Sequence, residues 1–452
     1  MKLQYQHLSK ALWFSVFMVV SCSWRWASAQ SLPTKTPAIA EVNTTLAQQL
    51  AAEVQPEVVR WRRYLHQHPE LSNREFQTAE YIIQALEPFG LTLQTKVAHT
   101  GVVAVLDSGK PGPVVALRAD MDALPIKESL DLPFASNVVT EVDGKPTPVM
   151  HACGHDAHVA MLLGAAKILS ENRDKLIGKV KFIFQPAEEG PPNGEAGGAK
   201  LMVEQGVVDD VDVIFALHLN AHTDIGMVKY KPGGLLAAVD PFKITLHGKP
   251  AHGAFPWLGV DPIVASAQVI MGLQTIVSRE IRLIDEAAVL TVGTIQGGVR
   301  SNVIAESVTM SGTIRTLNHK ARQHMYEAVP RKVNLIAESM NVTAQVELPL
   351  RDNYPVTFNP PALMDRMLPT LLRTAGTGKV KLTKAKTAAE DFSFFQQQVP
   401  GLYLLIGSKD PDMPLSMVAD HHSPDFYVDE RGLSLGVTLF LNLTTDYMGV
   451  HL

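Results

Sequence analysis

Between Met150 and His158 the chain reads MHACGHDAH, which places three histidines, one cysteine and one aspartate in nine residues. A sulfur and an imidazole one residue apart, as at Cys153 and His155, can reach the same metal ion if that ion accepts both soft and borderline ligands. The apolar residues that follow, Val159, Leu162, Leu163, Ala166 and Leu169, recur at the spacing of one helix face. Cys153 and His155 therefore stand at or just before a helix N-terminus, where free N–H groups and the positive dipole end favour a thiolate. A buried thiol beside a hydrogen-bonded histidine would show the same local pattern, so the choice rests on the rest of the chain.

Further candidates follow short β-branched runs. Val114 to Leu117 leads to Asp120 and Asp122, Val180 to Phe184 leads to Glu188 and Glu189, and Val213 to Leu217 leads to His218. Strands alternating with helices predict an α/β catalytic domain on a mainly parallel mixed sheet flanked by helices, whose ligands bind at the carboxyl ends of the strands. Adjacent glutamates are ordinarily solvated loop charges. Here the pair precedes Gly190-Pro191-Pro192, a rigid loop that would hold both, so that one can ligate metal while its neighbour handles a proton. Cys153, His155, Glu189, His218 and a late histidine at 421 or 422 make about five ligands, more than a single catalytic zinc uses. Two ions sharing a bridging ligand and a bridging water account for the count.

These residues need elements to position them. At 452 residues the chain can hold two cores, and 46% hydrophobic with 19% charged residues describes a folded soluble protein. A net charge of -5, with no basic tract interleaved with aromatics, argues against a nucleic-acid partner. Lys2 and Lys10 precede the apolar run from Ala11 to Cys22, and Ala27-Ser28-Ala29 offers a cleavage site, so residues 1–29 are expected to be a signal peptide for export to the periplasm or outside. An uncleaved anchor and lipidation at Cys22 are the alternatives; no other run is long enough for a stable membrane span. Cleavage after Ala29 would leave Cys153 as the sole thiol, with no internal disulfide open to it and no resolving cysteine for redox work.

Residues 30–44 read as a linker and 45–236 as the first part of the catalytic domain, opening with a helix from Thr45 to His66 that Pro56 interrupts. His66 and His68 fall near its end as capping or packing residues. A second helix is expected from Arg74 to Phe89, stopped by Gly90. Near Ala237 the pattern changes to alternating strands with two amphipathic helices, which predicts an inserted α+β domain over 237–346. Catalytic-type sequence resumes over 347–452.

Taken together, HACGHDAHVAML, FQPAEEG, FALHLN, GKPAHGAFPWLGVDPI, RSNVIAESVTMSGTIRT, AEDF and HHSPDFYVDE resemble the amidohydrolase branch of the aminoacylase and carboxypeptidase metallopeptidase family, with every motif in order from about Trp61 to Glu430. That branch includes hippurate hydrolase, N-acyl-amino-acid amidohydrolase and the indoleacetyl-amino-acid hydrolases. The resemblance implies that the inserted domain is a lid and dimerisation domain, and that the small-molecule substrate is an N-acyl or N-aroyl amino acid. It implies two divalent ions per subunit, zinc or manganese first and cobalt next, with Cys153 bridging and His155, Glu189, His218 and His422 completing the set. His422 is favoured over His421 because the family ligand directly precedes Ser-Pro.

Glu188 matches the general base, and His252 the lid histidine that stabilises the oxyanion. Asn302 and Arg315 match positions that grip a substrate carboxylate, while Asp120 and Asp122 are expected to orient ligands. The family often has Pro where Ala305 stands, and Gly-Ser where Ala388 and Ala389 stand; neither change touches a proposed ligand. A metallo-dipeptidase or carboxypeptidase with the same centre is the alternative enzyme, and a non-catalytic ligand-binding homologue the alternative of another class.

Overall fold

The computed structural model describes residues 45–284, 287–350 and 353–452; the expected signal peptide and linker lie outside them. The main sheet has eight strands in the order Thr92–Val97, Gly101–Asp107, Lys179–Gln185, Val114–Asp120, Val213–Asp224, Gly401–Lys409, Val228–Tyr230, Val380–Leu382. Its four central members run parallel. The pairings of Gly101–Asp107 with both neighbours, and of Val228–Tyr230 with Gly401–Lys409, are antiparallel, which makes the sheet mixed. The central strands are buried on both faces, which explains their near-continuous Val, Ile, Leu and Phe content.

One face is covered by helices Leu46–Gln67, His155–Glu171 and Leu433–Met448 around a large apolar core. The second of these is apolar almost all round and buried from His155 to Leu169 apart from Lys167, as a helix inside the domain must be. Burying the whole helix also carries its N-terminus, with Cys153 and His155, into the interior. A Cβ at Gly436 would lie 2.0 Å from Met161 Sδ, so any larger residue on the third helix would have to displace that side chain of the second. The opposite face carries a smaller core under Gly198–Glu204 and Ser393–Gln396.

The first helix runs unbroken from Leu46 through Pro56 to Gln67, where an interruption was expected. Burial of Ala47, Ala51, Val54, Val58, Trp61 and Leu65 along one face outweighs the hydrogen bond that proline removes. The second is shorter than expected, Phe76–Leu86, followed by a 3-10 turn that ends at Gly90 with φ +64.

Between residues 238 and 347 lies a separate four-stranded antiparallel sheet, in the order Ala288–Gly297, Ser307–Thr316, Ala238–His247, Thr343–Glu347. Helices Pro262–Thr275 and His319–Ser339 pack on it over a core of their own, centred on Phe242, Leu246, Val269, Met310 and Val333. Asp261 and Asn318 cap those helices through their side chains. The last strand was not anticipated; it is short and alternates weakly. No helix among the described residues is long and apolar enough to cross a membrane.

Candidate active site

The catalytic-type residues converge at the carboxyl edge of the central parallel strands. Asp120 is the last residue of its strand, and Glu188 and Glu189 follow theirs by three and four residues. His218 departs from the expected pattern, because its strand continues to Asp224 rather than ending before it. The neighbouring Val114–Asp120 strand does end here. Extending its register with Val213–Asp224 by two residues sets Asp120 level with His218, so the histidine still faces the sheet's open edge.

Two of the expected ligands, His155 and His218, are tied through Nδ1 and turn Nε2 toward the other donors. His155 Nδ1 lies 2.8 Å from the Asp122 carbonyl, while its buried Nε2 has no hydrogen-bond partner and sits 3.7 Å from Asp120 Oδ2 and 3.9 Å from both Glu188 Oε2 and Glu189 Oε1. His218 Nδ1 donates to the Leu219 carbonyl at 2.6 Å, which leaves Nε2 3.5 Å from Cys153 Sγ. His422 Nε2 lies 3.1 Å from Glu189 Oε1. Donor atoms of Cys153, Glu189 and His422 fall within 4.8 Å of one another, as do those of His155, Glu188 and Glu189. A histidine held by a backbone carbonyl on one nitrogen and bare on the other is the usual arrangement of a metal ligand. The donor set therefore suits divalent ions that take sulfur, imidazole and carboxylate together.

His158, near the same cluster, uses both ring nitrogens, and His421 uses one on the backbone. His158 Nδ1 donates to Asp120 Oδ1 at 2.6 Å and its Nε2 accepts from Leu219 N at 2.9 Å. His421 Nε2 accepts from Ala221 N, with Nδ1 3.9 Å from Cys153 Sγ. His151 is buried with neither nitrogen bonded, and burial pushes it down to about 3, so it stays neutral. The geometry at Cys153 corrects one expectation: burial, and then the Glu189 carboxylate, push its thiol up rather than down. The helix terminus alone does not make the thiolate; a cation at the cluster would have to.

Asp122 Oδ2 accepts from Ser72 Oγ at 2.7 Å and Glu189 N at 3.0 Å, bracing the backbone of a ligand. Asp120 is fixed by Arg118 Nη1 at 2.7 Å. Arg118 was overlooked in the sequence although it stands two residues before Asp120. Its guanidinium also reaches Gln185, Glu390 and Asp391, and Tyr403 closes the set by donating to Glu390 at 2.6 Å. The AEDF segment supplies this buried pair. Glu188 lies near it, and burial, then Glu390, Glu189 and Asp391, raise the Glu188 carboxyl well above its ordinary range.

Glu75 was also missed. It is fully buried and accepts from Thr100 Oγ1 at 2.6 Å and from Ala187 N at 2.9 Å. Ala187 has φ +52, an uncommon conformation for a residue with a side chain, and it directly precedes Glu188. Tyr354 grips the same loop, its hydroxyl donating to the Glu188 carbonyl at 3.1 Å.

A cavity of about 240 Å³ opens onto Cys153, Glu188, Glu189, His218, His421 and His422, with Leu236, Tyr354, Lys386, Ala388, Ala389 and Leu405 among its other walls. A larger groove of about 480 Å³ between the first three helices borders none of these residues. His252 and Asn302 lie together on the small domain, outside the cavity. Gly253 N bonds the Asn302 carbonyl, and exposed His252 accepts from Ala254 N at 3.0 Å. Arg315 stands nearer, its Nη1 donating to the Thr387 carbonyl beside the cavity wall.

A mixed α/β sheet whose carboxyl edge gathers sulfur, imidazole and carboxylate donors beside a further buried glutamate has the parts of a metal-dependent hydrolase. A family model described as peptidase family M20/M25/M40 matches residues 116–446, and the chain belongs to that family. It is 39% identical over 376 residues to N-acetyl-L-cysteine deacetylase of Bacillus subtilis, covering 82% of this chain and 83% of that one. It is 37% identical to thermostable carboxypeptidase 2 of Saccharolobus solfataricus, over 85% of this chain and 93% of the other. Among solved structures, the YXEP protein of B. subtilis, a dinuclear metal binding peptidase, aligns with a TM-score of 0.73 and 32% identity, over 88% of this chain and all of that one.

Proposed function

We propose that the protein hydrolyses the amide bond of N-acyl or N-aroyl amino acids, releasing a carboxylic acid and a free amino acid, with two divalent ions held by Cys153, His155, Glu189, His218 and His422. The observation that carries this reading is the convergence of free donor atoms on those five side chains beside Glu188. Cys153 suits the shared position, since its sulfur lies near His218 on one side and Glu189 and His422 on the other. When bound, zinc or manganese, with cobalt as the further candidate, would supply Lewis acidity toward the amide carbonyl and lower the pKa of water.

The chain's own part begins with Glu188, which removes a proton from the attacking water as its oxygen bonds to the carbonyl carbon. Glu188 then delivers that proton to the amide nitrogen as the C–N bond breaks, so that the amine leaves neutral. The raised Glu188 pKa suits a group that must both take and return a proton. His252 donates toward the oxyanion, and Asn302 and Arg315 face the substrate's carboxylate, only after the small domain closes over the cavity or is supplied by a partner subunit.

The deacetylase relative, and IAA-amino acid hydrolase ILR1-like 5 of Arabidopsis thaliana at 37% identity, support acyl amino acids. The carboxypeptidase relative favours a second reading, peptide substrates at the same centre. Purified protein assayed on hippurate, N-acetyl amino acids and dipeptides, before and after chelation and with zinc or manganese restored, separates them. Turnover of acyl amino acids that disappears with chelator and returns with metal is expected; turnover of dipeptides alone would select the second reading. Loss of neither on chelation would overturn the metal assignment. A Glu188→Ala variant with full turnover would sink the catalytic role given to it.

Residues 1–29 we take as an export signal, from Lys2, Lys10, the apolar run and Ala27-Ser28-Ala29. An extracytoplasmic product whose N-terminus is Gln30 is the expected result, and a product starting at Cys22 with an attached lipid would replace it. The small domain we take as the dimer interface. Its edge strand Ala288–Gly297 pairs on one side only and exposes Val289 and Ile295, while the neighbouring helix exposes Ile263, Val264 and Met271.

A further inference from the structure

One cation on the cavity wall has no role in the chemistry above. Lys386 lines the cavity together with Cys153, Glu188 and His421. Among the described residues its ammonium makes no hydrogen bond and no ion pair. Its position is fixed by the backbone, because Lys386 N donates to the Leu235 carbonyl at 2.9 Å and the residue bridges to Leu236, another wall of the cavity.

The surroundings do little to neutralise it. Ala388, Ala389, Leu236 and Leu405 make the adjoining wall apolar, Lys229 adds a like charge nearby, and none of the acids that share the cavity, Glu188, Glu189 and Glu390, forms an ion pair with it. Burial first, and then Lys229, lower the Lys386 pKa. On the other side of the same short segment, Arg315 of the small domain donates to the carbonyl of Thr387, the residue after Lys386. Arg315 of the small domain thus touches the backbone of the segment that carries Lys386.

Lys386 is exposed where it lines the cavity, so its unpaired ammonium is open to an anionic ligand, through a charge-assisted hydrogen bond stronger than a neutral one. We infer that Lys386 is a specificity-determining residue that binds the α-carboxylate of the substrate's amino-acid half from the catalytic domain, opposite Arg315. This rests on the acyl-amino-acid reading above. It also places the anchor on the domain that carries the metal donors, so that the carboxylate is held before the small domain moves. A site built around a group in this way rejects analogues that lack it.

The test compares hippurate with hippuramide, which keeps the benzoyl amide but replaces the carboxylate by an uncharged carboxamide. Benzoate release by metal-loaded wild type, Lys386→Met and Lys386→Arg gives the preference between them as a ratio of kcat/KM. The methionine variant is expected to lose about tenfold or more of the wild-type preference for hippurate. The loss should appear in KM rather than kcat, and arginine should restore most of it. An unchanged ratio in Lys386→Met overturns the inference, as does an equal loss on both substrates.

Calorimetric titration of the same proteins with hippurate separates this inference from the reading it rests on. If wild type releases no benzoate, the acyl-amino-acid reading falls. Weaker hippurate binding by Lys386→Met, by about tenfold, would still support the carboxylate anchor. Equal affinity, or no binding to wild type, would end it.

Discussion

At Glu188 the side chain combines burial, a carboxylate pair behind it and metal-type donors in front. Replacement by Gln keeps the shape and removes the base. Turnover should fall by about 10²- to 10⁴-fold while bound metal, read by elemental analysis, stays at the wild-type level. Metal loss in parallel with turnover would instead make Glu188 a ligand.

His66 belongs to a different buried group. Its Nδ1 lies 2.8 Å from Asp156 Oδ2 and its Nε2 3.1 Å from Glu128 Oε1, with Arg62 also on Asp156. Burial, and then Arg62, oppose protonation, but the hydrogen bonds to Asp156 and Glu128 outweigh them and hold the His66 pKa above 6.5. A folded pKa above the unfolded one gives stability that is complete below the unfolded value and is lost as pH rises through the folded value. The stability difference between wild type and His66→Gln, measured by denaturant melts from about pH 6 to about pH 10, should therefore shrink toward the alkaline end. A difference that widens would reverse the assignment. Because Asp156 follows His155 directly, this group also anchors the start of the ligand-bearing helix.

The loop from Pro186 to Glu189 is the element whose placement decides whether base and ligand face the same cavity. Ala187 holds a positive φ there, at a cost of about 1–2 kcal/mol for a residue with a Cβ. Its N–H is received by Glu75, which burial and then Asp122 push up to about 8, and the next carbonyl by Tyr354. Glu75→Ala removes the acceptor that fixes this turn. It should lower kcat on the order of 10²-fold with little change in KM, since a misplacement of about 1 Å is enough for that. Glu75→Gln, which keeps an acceptor oxygen, should recover much of the loss. Equal losses in the two variants would point to general destabilisation, which thermal melts of both would show.

On the scale of the whole molecule, the chain crosses between the two sheets near Ala237 and again near Tyr354, and these crossings are joined by reciprocal backbone hydrogen bonds between Val239 and Tyr354. The same tyrosine touches the Glu188 carbonyl, so the junction of the domains and the catalytic loop share a residue. The small domain's free edge offers a second copy a strand to pair with. Light scattering is expected to give a dimer for wild type and a monomer for Val289→Lys with Ile295→Lys, whose like charges would face each other across a two-fold axis. A monomeric wild type would remove the interface, and with it the option of His252 serving a partner's site.

Some of this was legible in the chain before any coordinates. Local chemistry carried the donor cluster, because a Cys and three His in nine residues, Glu-Glu before Gly-Pro-Pro and a late His-His are dense enough to stand out from packing residues. Periodicity carried the fold class, since burial on both faces or on one imprints itself on neighbouring residues. The choice among neighbouring histidines depends on where each ring nitrogen points, and that is set by contacts such as Leu219 N with His158 and the Leu219 carbonyl with His218. Residue type alone leaves His158, His421 and His422 alike, and only the resemblance of the HHSP motif favours His422 over His421. Glu75, Arg118 and Tyr354 were illegible for the same reason: each acts on residues far away in the chain, across contacts that exist only once strands, loops and both domains are assembled, and only that assembly brings Lys386 to the cavity wall. Even the thiolate expected at Cys153 from a helix terminus gave way to burial and a facing carboxylate, because desolvation and charge are properties of the folded surroundings rather than of the nine-residue motif.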